Sequence, residues 1–423
     1  MNNSRLFKKS LLAVTITTAT LASQHALAAG FQLNAQSATG IGRAFAGDAV
    51  IADNASVMAR NPAAMALFDK MELSLGFESI TSMIEVKDVQ YVGGAVPVSD
   101  TDDVGDTSIA PNIHLIVPVS DKFAWGVNAY SNFGTKTEFS DSYPASEYGG
   151  LTDVKSFNLG LAASYRANEH LSVGAGLDII YGQGTMKRYS GVGMQGGGVP
   201  LGTALLDVDK ADGWAFGFNI GTVYELDENN RFGLSYRYSP EFEAKDDYGQ
   251  KITLPLPDMA EFSGFHKIED TQFAVHYSVQ WIGWSAFDQI DFENLSATQS
   301  PIAAQLAALN GGVYGKQYQW QDGWHYAIGG TYYLNSDWTL RAGYMYDTSA
   351  QDDVTSISVP DSDRQWFSAG FTYHLDKASE IDFGFTYLMG DDVNVTETSS
   401  GTPLTATTHA DAILVGLQYS RSF

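Results

Sequence analysis

The eleven residues LSVGAGLDIIY, Leu171–Tyr181, alternate in side-chain character from end to end. The odd-numbered positions are Leu, Val, Ala, Leu, Ile and Tyr, whereas the even-numbered positions are mostly small or polar and include Asp178. A period of two is typical of a β-strand with one apolar and one polar face. The same pattern recurs at positions 214–220, 232–238, 273–281 and 338–346.

The length of these runs distinguishes two kinds of β protein. Strands of soluble sandwiches average about five or six residues. The longer runs here reach nine to eleven residues, which suits a tilted strand that crosses a bilayer. Tyr, Trp and Phe cluster at the run ends, as in the aromatic girdles of membrane barrels. The pattern therefore predicts an all-β fold, a transmembrane β-barrel.

Short polar connections give the number of strands. Each of the six connections should join two strands on one side of the membrane, which gives twelve strands. A first strand near Met71–Ile80 and a last strand at Ala412–Phe423 bring the number to fourteen. We therefore expect fourteen antiparallel strands with both chain ends in the periplasm. The C-terminal Phe423 closes an alternating strand, an ending typical of such barrels. The short connections lie at 120–122, 167–170, 226–230, 269–271, 335–337 and 376–380. The expected extracellular loops lie at about 79–107, 134–153, 183–211, 239–256, 283–323, 347–363 and 390–409.

The N-terminus has the pattern of an export signal. Met1–Ala28 contains three basic residues, then an apolar core, and ends in the small-residue site Ala26-Leu27-Ala28. The apolar core is too short for a membrane-spanning helix. No later segment has eighteen consecutive apolar residues, so a spanning helix is not expected there either.

The charge and the cysteine count exclude some partners and constraints. The net charge is −25, and removal of the three basic residues of the signal lowers it to −28. So acidic a chain is a poor partner for nucleic acid. There is no cysteine and hence no disulfide framework.

Residues 29–70 differ from the rest of the chain. Ala and Ser fill this segment, four glycines interrupt it, and Asn61-Pro62 forms a turn signal. A long segment without strand character, placed before a barrel, must lie outside the sheet or fill its interior. We therefore predict a signal peptide at 1–28, an N-terminal hatch (plug) domain in the lumen at 29–70 and a barrel at 71–423.

Several segments resemble one known family. The sequence is similar to the FadL-type long-chain fatty acid transporters (OMPP1/FadL/TodX) of the bacterial outer membrane, and the similar segments span the mature chain. The resemblance implies a fourteen-stranded barrel, a hatch, and uptake of long-chain fatty acids or similar hydrophobic molecules. The segments are AGFQLN (29–34), GIGRAFAGDA (40–49), IADNAS (51–56), ARNPAA (59–64), SNFGTKTEF (131–139), YELDENNRFGLSYR (224–237) and VPDSDRQWFSAGFTY (359–373).

A fatty acid needs an apolar pocket for its chain and a few cations or donors for its carboxylate. Arg188 follows the predicted fifth strand, and Lys316 precedes the predicted tenth. By resemblance, Arg188, Lys316 and Ser131 match the polar head-group contacts of the family's pocket. The alternative is that both cations are solvated rim charges paired with acidic loop residues.

The resemblance also assigns residues to gating. The N-terminal tail of the family inserts into the pocket, and its aromatic residue matches Phe31; an ordinary residue of the hatch core is the alternative. Asn132, Phe133 and Gly134 match an inward kink of the third strand that leaves a gap in the wall. A glycine in a strand marks a bulge or kink, although a simple strand end is the competing interpretation.

A second set of expectations concerns the hatch turn and the loops. Asn61-Pro62-Ala63 matches a hatch motif with the role of a fixed turn. Loops 183–211 and 239–256 are shorter than those that usually build an outer hydrophobic groove. Residues 300–309 predict a helix with a Ser N-cap and an apolar face of Ile302, Leu306 and Leu309, lining the entrance or folded over the barrel mouth. Acidic pairs at 102–103, 352–353 and 391–392 would hold divalent cations or lipopolysaccharide, or would be solvated loop faces.

The expected function is passive uptake across the outer membrane. Extracellular loops would capture the ligand, the internal pocket would hold it, and the kinked third strand would release it sideways into lipid. The alternatives are a gated porin for small solutes and an outer-membrane hydrolase, but no His pairs recognisably with a nucleophile. We expect a monomer in contact with outer-membrane lipid and lipopolysaccharide, with no catalytic residue, metal or cofactor.

Overall fold

The computed structural model describes residues 30–34, 36–93, 98–398 and 401–423. The predicted signal 1–28 and Ala29 lie outside the described residues. The strands are β1 Glu72–Tyr91, β2 Thr107–Ser120, β3 Phe123–Tyr130, β4 Gly134–Glu138, β5 Leu151–Arg166, β6 Leu171–Tyr189, β7 Ala204–Glu225, β8 Asn230–Tyr238, β9 Glu241–Lys245, β10 Lys251–Pro255, β11 Met259–Lys267, β12 Phe273–Ile282, β13 Gln289–Glu293, β14 Val313–Gln317, β15 Gly323–Tyr333, β16 Trp338–Asp347, β17 Arg364–His374, β18 Ser379–Gly390, β19 Val393–Glu397 and β20 Leu404–Ser422.

Fourteen of the described strands form a closed ring. They are all of the above except β4, β9, β10, β13, β14 and β19, and each pairs antiparallel with its neighbours. The ring closes between β1 and β20, from Glu72 opposite Ser422 to Tyr91 opposite Leu404. The predicted fourteen-stranded barrel is confirmed, and all six predicted short turns join consecutive strands of the ring.

The alternating pattern separates the two faces of the wall. Leu177 is 65% exposed, whereas the next residue, Asp178, is 2% exposed. Large apolar side chains such as Trp214, Phe216 and Leu161 are likewise exposed on the outside of the ring. An outward apolar band is what a barrel presents to lipid.

No helix in the described part of the chain is long and apolar enough to cross a membrane.

Several strands are longer than the sequence pattern predicts. β1, β7 and β20 have 20, 22 and 19 residues, because pairing continues beyond the predicted strand ends on the side of the long connections. Two hairpins, β9–β10 and β13–β14, pair with each other through β10 and β13 on that same side. Much of what was predicted as loop is therefore sheet.

Residues 30–68 contain no strand of the barrel. Short helices span Ala38–Gly42 and Val57–Arg60, and a 3-10 helix spans Pro62–Leu67. The segment contacts strands on all sides of the ring, from β1 through β6 and β7 to β17, β18 and β20. It therefore lies inside the ring of strands.

Inward-facing glycines let this segment approach the wall closely. A Cβ at Gly384 of β18 would lie 2.1 Å from the carbonyl oxygen of Ala38, and one at Gly174 of β6 would lie 2.4 Å from the amide nitrogen of Ala63. Any larger residue at these positions would force the segment away from the strand. The two contacts are on different strands of the ring, so the wall holds the segment from more than one side.

Buried ion pairs link the same segment to the strands. Arg43 pairs with Asp48 and Asp53, and Asp53 also pairs with Arg341 of β16. Removing one partner of such a pair leaves an uncompensated buried charge, which costs about 3–5 kcal/mol. These contacts favour a single seated position of residues 30–68.

Candidate ligand-binding site

An apolar cavity lies inside the ring on the side of the long connections. Its apolar lining comes from the kink region, from β5 and β6, and from the segment that contains β9, β10 and β13: Phe133, Val154, Ile180, Met186, Phe242, Ala244, Ile252, Leu254, Leu256 and Ile290. We call this cavity the apolar pocket.

The β9–β10 hairpin contributes a large share of this lining. Phe242 and Ala244 alternate with Glu241, Glu243 and Lys245 along β9, and only the two apolar residues are buried. From the sequence, loop 239–256 was expected to matter only for an outer groove. Its short alternating run was the signal that could have placed it in the wall of an inner pocket.

Arg188 and Lys316 both stand at the rim of the apolar pocket. Arg188 is two residues after the pocket-lining Met186 and therefore on the same face of β6. Lys316 pairs directly opposite the pocket-lining Ile290. The expectation that Arg188 lies beyond the strand end is wrong: β6 continues to Tyr189, and Arg188 is 5% exposed within it.

Arg188 is held by the neighbouring strand. Its Nη1 donates to the carbonyl oxygens of Leu151 and Lys187, each at 2.8 Å, and its Nη2 donates to Thr152 Oγ1 at 2.7 Å. Its Nε has no hydrogen-bond partner among the described residues. One guanidinium proton is thus available at the rim of the pocket.

Lys316 faces one hydroxyl, one aromatic ring and one buried carboxylate. Its Nζ donates to Ser358 Oγ at 3.2 Å and lies 5.2 Å from the centre of the Tyr318 ring. Burial and the nearby Arg188 charge together lower the pKa of Lys316 to about 8, although Glu397 opposes the shift. The ammonium group is therefore poorly solvated and only partly compensated.

Glu397 was not singled out from the sequence. Its Oε1 accepts from the amide of Ile357 at 2.7 Å, next to the Ser358 hydroxyl that Lys316 contacts. Burial raises the pKa of Glu397, and Lys316 and Arg188 counteract that rise. Both cations thus interact with one buried acid. This agrees in part with the alternative interpretation from the sequence, in which these cations pair with acidic loop residues.

Ser131 is not brought together with the two cations. It lies in the break after β3, is 3% exposed and is not part of the pocket lining. Its Oγ has no hydrogen-bond partner within the described ranges.

Phe31 lies in an aromatic cluster beside the apolar pocket. Its ring centre is 4.6 Å from that of Trp284, 5.3 Å from Phe287, 5.8 Å from Trp320 and 6.1 Å from Phe133. These residues pack in one core with the pocket lining and apart from the core around residues 50–65. Phe31 therefore contacts the pocket side of the lumen.

The third barrel strand is interrupted at 131–133. β3 ends at Tyr130, and β4 resumes at Gly134 and pairs with β5 from Gly134 opposite Lys155. β2 pairs with β3 only from Ile113 onward. Residues 107–112 of β2 therefore have no strand partner within the described chain on the edge that faces the third barrel strand. We call this break in the ladder the wall gap.

The N-terminal tail occupies the inner side of the wall gap. Leu33 N donates to the carbonyl oxygen of Asn132 at 2.6 Å, and Gly134 N donates to that of Phe31 at 2.9 Å. A single antiparallel bridge joins Gln32 to Phe133. The tail thus uses backbone groups that a continuous third strand would pair with β2.

The backbone of Gly134 does not adopt a positive φ. The third strand therefore does not use the positive-φ freedom of a glycine at this position. The interruption precedes Gly134, at Ser131–Phe133, where backbone groups turn from the strand ladder to the N-terminal tail.

Asn61 fixes the turn before Pro62. Its Oδ1 accepts from Ala63 N at 3.0 Å, and its Nδ2 donates to the carbonyl oxygens of Ala49 and Thr222 at 2.8 and 2.9 Å. One side chain thus caps the 3-10 helix and ties it to the wall strand β7.

The predicted helix in the longest connection is present at Pro301–Leu309. Its buried residues are Ala303 and Ala307, whereas Leu306 and Leu309 are 47% and 82% exposed. The face that packs against the barrel is therefore the alanine face and not the predicted apolar face of Ile302, Leu306 and Leu309. Small alanines allow close packing on β7 and β14, which turns the leucines outward, and Ser300 makes no cap bond because its hydroxyl contacts Gln250.

The acidic pairs in the loops do not form a metal site in the described ranges. No group of three or more His, Cys, Asp or Glu side chains there could hold a metal ion. Asp103 accepts from the amides of Ile84 and Gly105, and Asp392 pairs with His409.

Known proteins resemble this chain over its whole length. It is 33% identical to the long-chain fatty acid transport protein of Escherichia coli O6:H1, covering 100% of both chains, and 33% identical to outer membrane protein P1 of Haemophilus influenzae, covering 99% of both. Among solved structures, a Pseudomonas aeruginosa FadL homologue has a TM-score of 0.82 at 20% identity, covering 93% of this chain and 100% of the other. The Pseudomonas putida toluene transporter TodX has a TM-score of 0.68 at 18% identity, covering 94% and 100%.

The chain forms a closed barrel with a lipid-facing apolar band and an internal apolar pocket. Its relatives are transporters and not enzymes. These properties define an outer-membrane transport protein. The model of one family, described as "Outer membrane protein transport protein (OMPP1/FadL/TodX)", matches residues 19–423. The chain belongs to this family, and the resemblance noted in its sequence is confirmed.

Proposed function

We propose that this protein carries long-chain fatty acids passively across the outer membrane. The observation that supports this most is the apolar pocket with Arg188 and Lys316 at its rim. A methylene moved from water into an apolar site gains about 0.8 kcal/mol, and a cation gives the carboxylate a charge-assisted bond. A neutral hydrocarbon would use the pocket but not the two cations.

The proposed path starts at the loops and ends in the bilayer. The exposed leucines of helix Pro301–Leu309 and the other extracellular loops would collect the ligand. The apolar pocket would then hold it while Phe31 and the tail block the wall gap. Once the tail moves, the ligand would leave through the gap, because its chain is more stable in lipid than in an aqueous pore.

The hatch would keep the barrel closed along its axis. We propose residues 29–70 as this hatch domain, residues 1–28 as the signal peptide and residues 71–423 as the barrel. The buried pairs of Arg43 and Arg341 with Asp53 support a hatch that stays seated during uptake. This is the argument against the gated porin, in which the hatch would open for small polar solutes. We further propose a monomer that contacts outer-membrane lipid and lipopolysaccharide.

Three measurements on the wild-type protein test this proposal. Purified protein should bind a tritiated C18 fatty acid saturably, and cells without their own fatty acid transporter should take it up once they express this chain. Vesicles carrying the protein should not swell in isotonic sugar. Sugar-dependent swelling without saturable fatty acid binding would support the porin and exclude the transporter.

A further inference from the structure

A second, smaller cavity lies inside the ring, bordered by the N-terminal segment, by Asn132 of the wall gap and by strands β8, β11 and β12. It shares no lining residue with the apolar pocket. We call it the polar chamber. Its polar lining includes Gln32, Gln36, Arg60, Asn132, Glu261 and Gln280.

The chamber contains hydrogen-bond donors that the protein does not use fully. The Arg60 side chain is 9% exposed, and its Nε lies 3.5 Å from Asp48 Oδ2 but makes no hydrogen bond within the described ranges. The only described acceptor of Gln280 Nε2 is the Met259 Sδ, at 3.9 Å, a weak partner. A buried donor without a good acceptor favours a ligand that supplies one.

Arg237 also faces the chamber, but its donors are already used. It donates to Asp178 and to the carbonyl oxygen of Ala59, and it lies over the ring of Tyr130. Arg60 is thus the lining cation with the freer donor.

One acid in the chamber limits how strongly an anion could be held. Glu261 Oε2 lies 3.7 Å from Arg60 Nη1, and Glu261 Oε1 accepts from Ser263 and Ser278. The Arg60 charge is therefore shared between Glu261 and Asp48, and its Nη2 donates to Asn34 Oδ1 at 2.7 Å. A site on a transport path must bind strongly enough to admit its ligand and weakly enough to release it.

The chamber is next to the proposed exit. Asn132 lines the chamber and Phe133 lines the apolar pocket, and both residues belong to the break in the third strand. Gln36 Nε2 donates to Asn132 Oδ1 at 3.2 Å, so the tail separates chamber and gap. A ligand whose chain enters the gap would bring its head group past this point.

We propose that the polar chamber is a transit site for the carboxylate of the departing ligand, with Arg60 and Gln280 as its donors. This rests on the proposed fatty acid transport. While the chain slides into lipid, the charged head leaves Arg188 and Lys316 and would otherwise be buried without partners. The chamber supplies donors at that stage only, so it affects the rate of release and not the affinity of the pocket.

The test uses a charge placed in the chamber. In Gln280→Glu, the new carboxylate lies opposite Glu261 in the strand pairing and competes for Arg60. Initial uptake of a tritiated C18 fatty acid by cells should fall about tenfold or more, by charge repulsion in a partly buried site. Uptake of its methyl ester, and the Kd of purified protein for the acid, should stay within about twofold, because neither needs the chamber.

Two further variants complete the design. Arg60→Gln removes the cation and should slow the acid relative to the ester in the same way. Gln321→Glu makes the same charge change as Gln280→Glu at an exposed extracellular position and should leave both uptake rates unchanged.

Each outcome decides the proposal. Slower uptake of the acid alone supports the transit site. Equal slowing of acid and ester, no slowing of either, or a matching loss in Kd overturns it. If the wild type neither binds nor takes up the acid, the fatty acid proposal itself fails, which the wild-type controls show separately.

Discussion

Replacing Arg188 or Lys316 by alanine should weaken binding of a fatty acid far more than binding of its methyl ester. A charge-assisted hydrogen bond contributes about 1.5–3 kcal/mol. Arg188 has one unpartnered Nε, and Lys316 has one described hydrogen bond, so we count one bond to the ligand for each. Each single variant should then lose about 10- to 100-fold in affinity for the acid.

The double variant should lose less than the product of the two single losses. The two cations share Glu397 and influence each other's charge, and groups in one network are not additive. Glu397→Gln should act in the opposite direction. It removes the acid that competes with the ligand carboxylate, so affinity for the acid should rise while affinity for the ester stays constant.

The assay is a binding titration of purified protein with acid and ester in parallel. Lys187→Ala is the matched control, because Lys187 is adjacent to Arg188 but pairs with Asp207 and Asp209 away from the pocket. A thermal melt checks that each variant keeps its barrel. Equal losses for acid and ester would refute the head-group assignment.

Three further predictions concern the hatch, the gap and the pH dependence. Deleting residues 29–70 behind the intact signal should leave a heat-modifiable barrel that leaks small solutes; failure to insert would show that this segment is needed for folding. A cysteine pair across the wall gap should permit insertion and fatty acid binding but prevent growth on fatty acid, reversibly on reduction, because it would hold the gap closed; normal transport with a closed gap would indicate axial release. Fatty acid affinity should fall as the pH rises through about 8, because Lys316 then loses its proton, and Lys316→Arg should remove this dependence; an unchanged profile would exclude Lys316 as a ligand contact.

If the apolar pocket binds a fatty acid as proposed, Glu397 should keep its affinity for the carboxylate moderate. A pair of buried cations without a counterion would hold a carboxylate tightly and release it slowly. With Glu397 on the same segment that Lys316 contacts, the incoming carboxylate must compete with a resident one. The glutamate therefore favours release as well as selectivity.

The sequence by itself determined the barrel and its number of strands. A period of two is a local property of the backbone, since neighbouring side chains of a strand point to opposite faces. The sequence therefore predicts that Leu177 and Asp178 point to opposite faces of the strand before any strand pairing is known. Turns such as Ser120–Lys122 are equally local, which is why all six short connections were found.

The contents of the lumen depended on contacts between distant parts of the chain. Whether Leu306 or Ala303 packs inward depends on the space left by β7 and β14, not on the helical period. Lys316 reaches the pocket because its strand pairs opposite Ile290, and Glu397 meets it through a third segment at Ile357 and Ser358. No local sequence pattern predicts these contacts, because the pairing between distant segments determines which buried charges lie close together. The fold could thus be predicted from the sequence, but the buried acid near Arg188 and Lys316 and the polar chamber beside Asn132 were decided only by the tertiary structure.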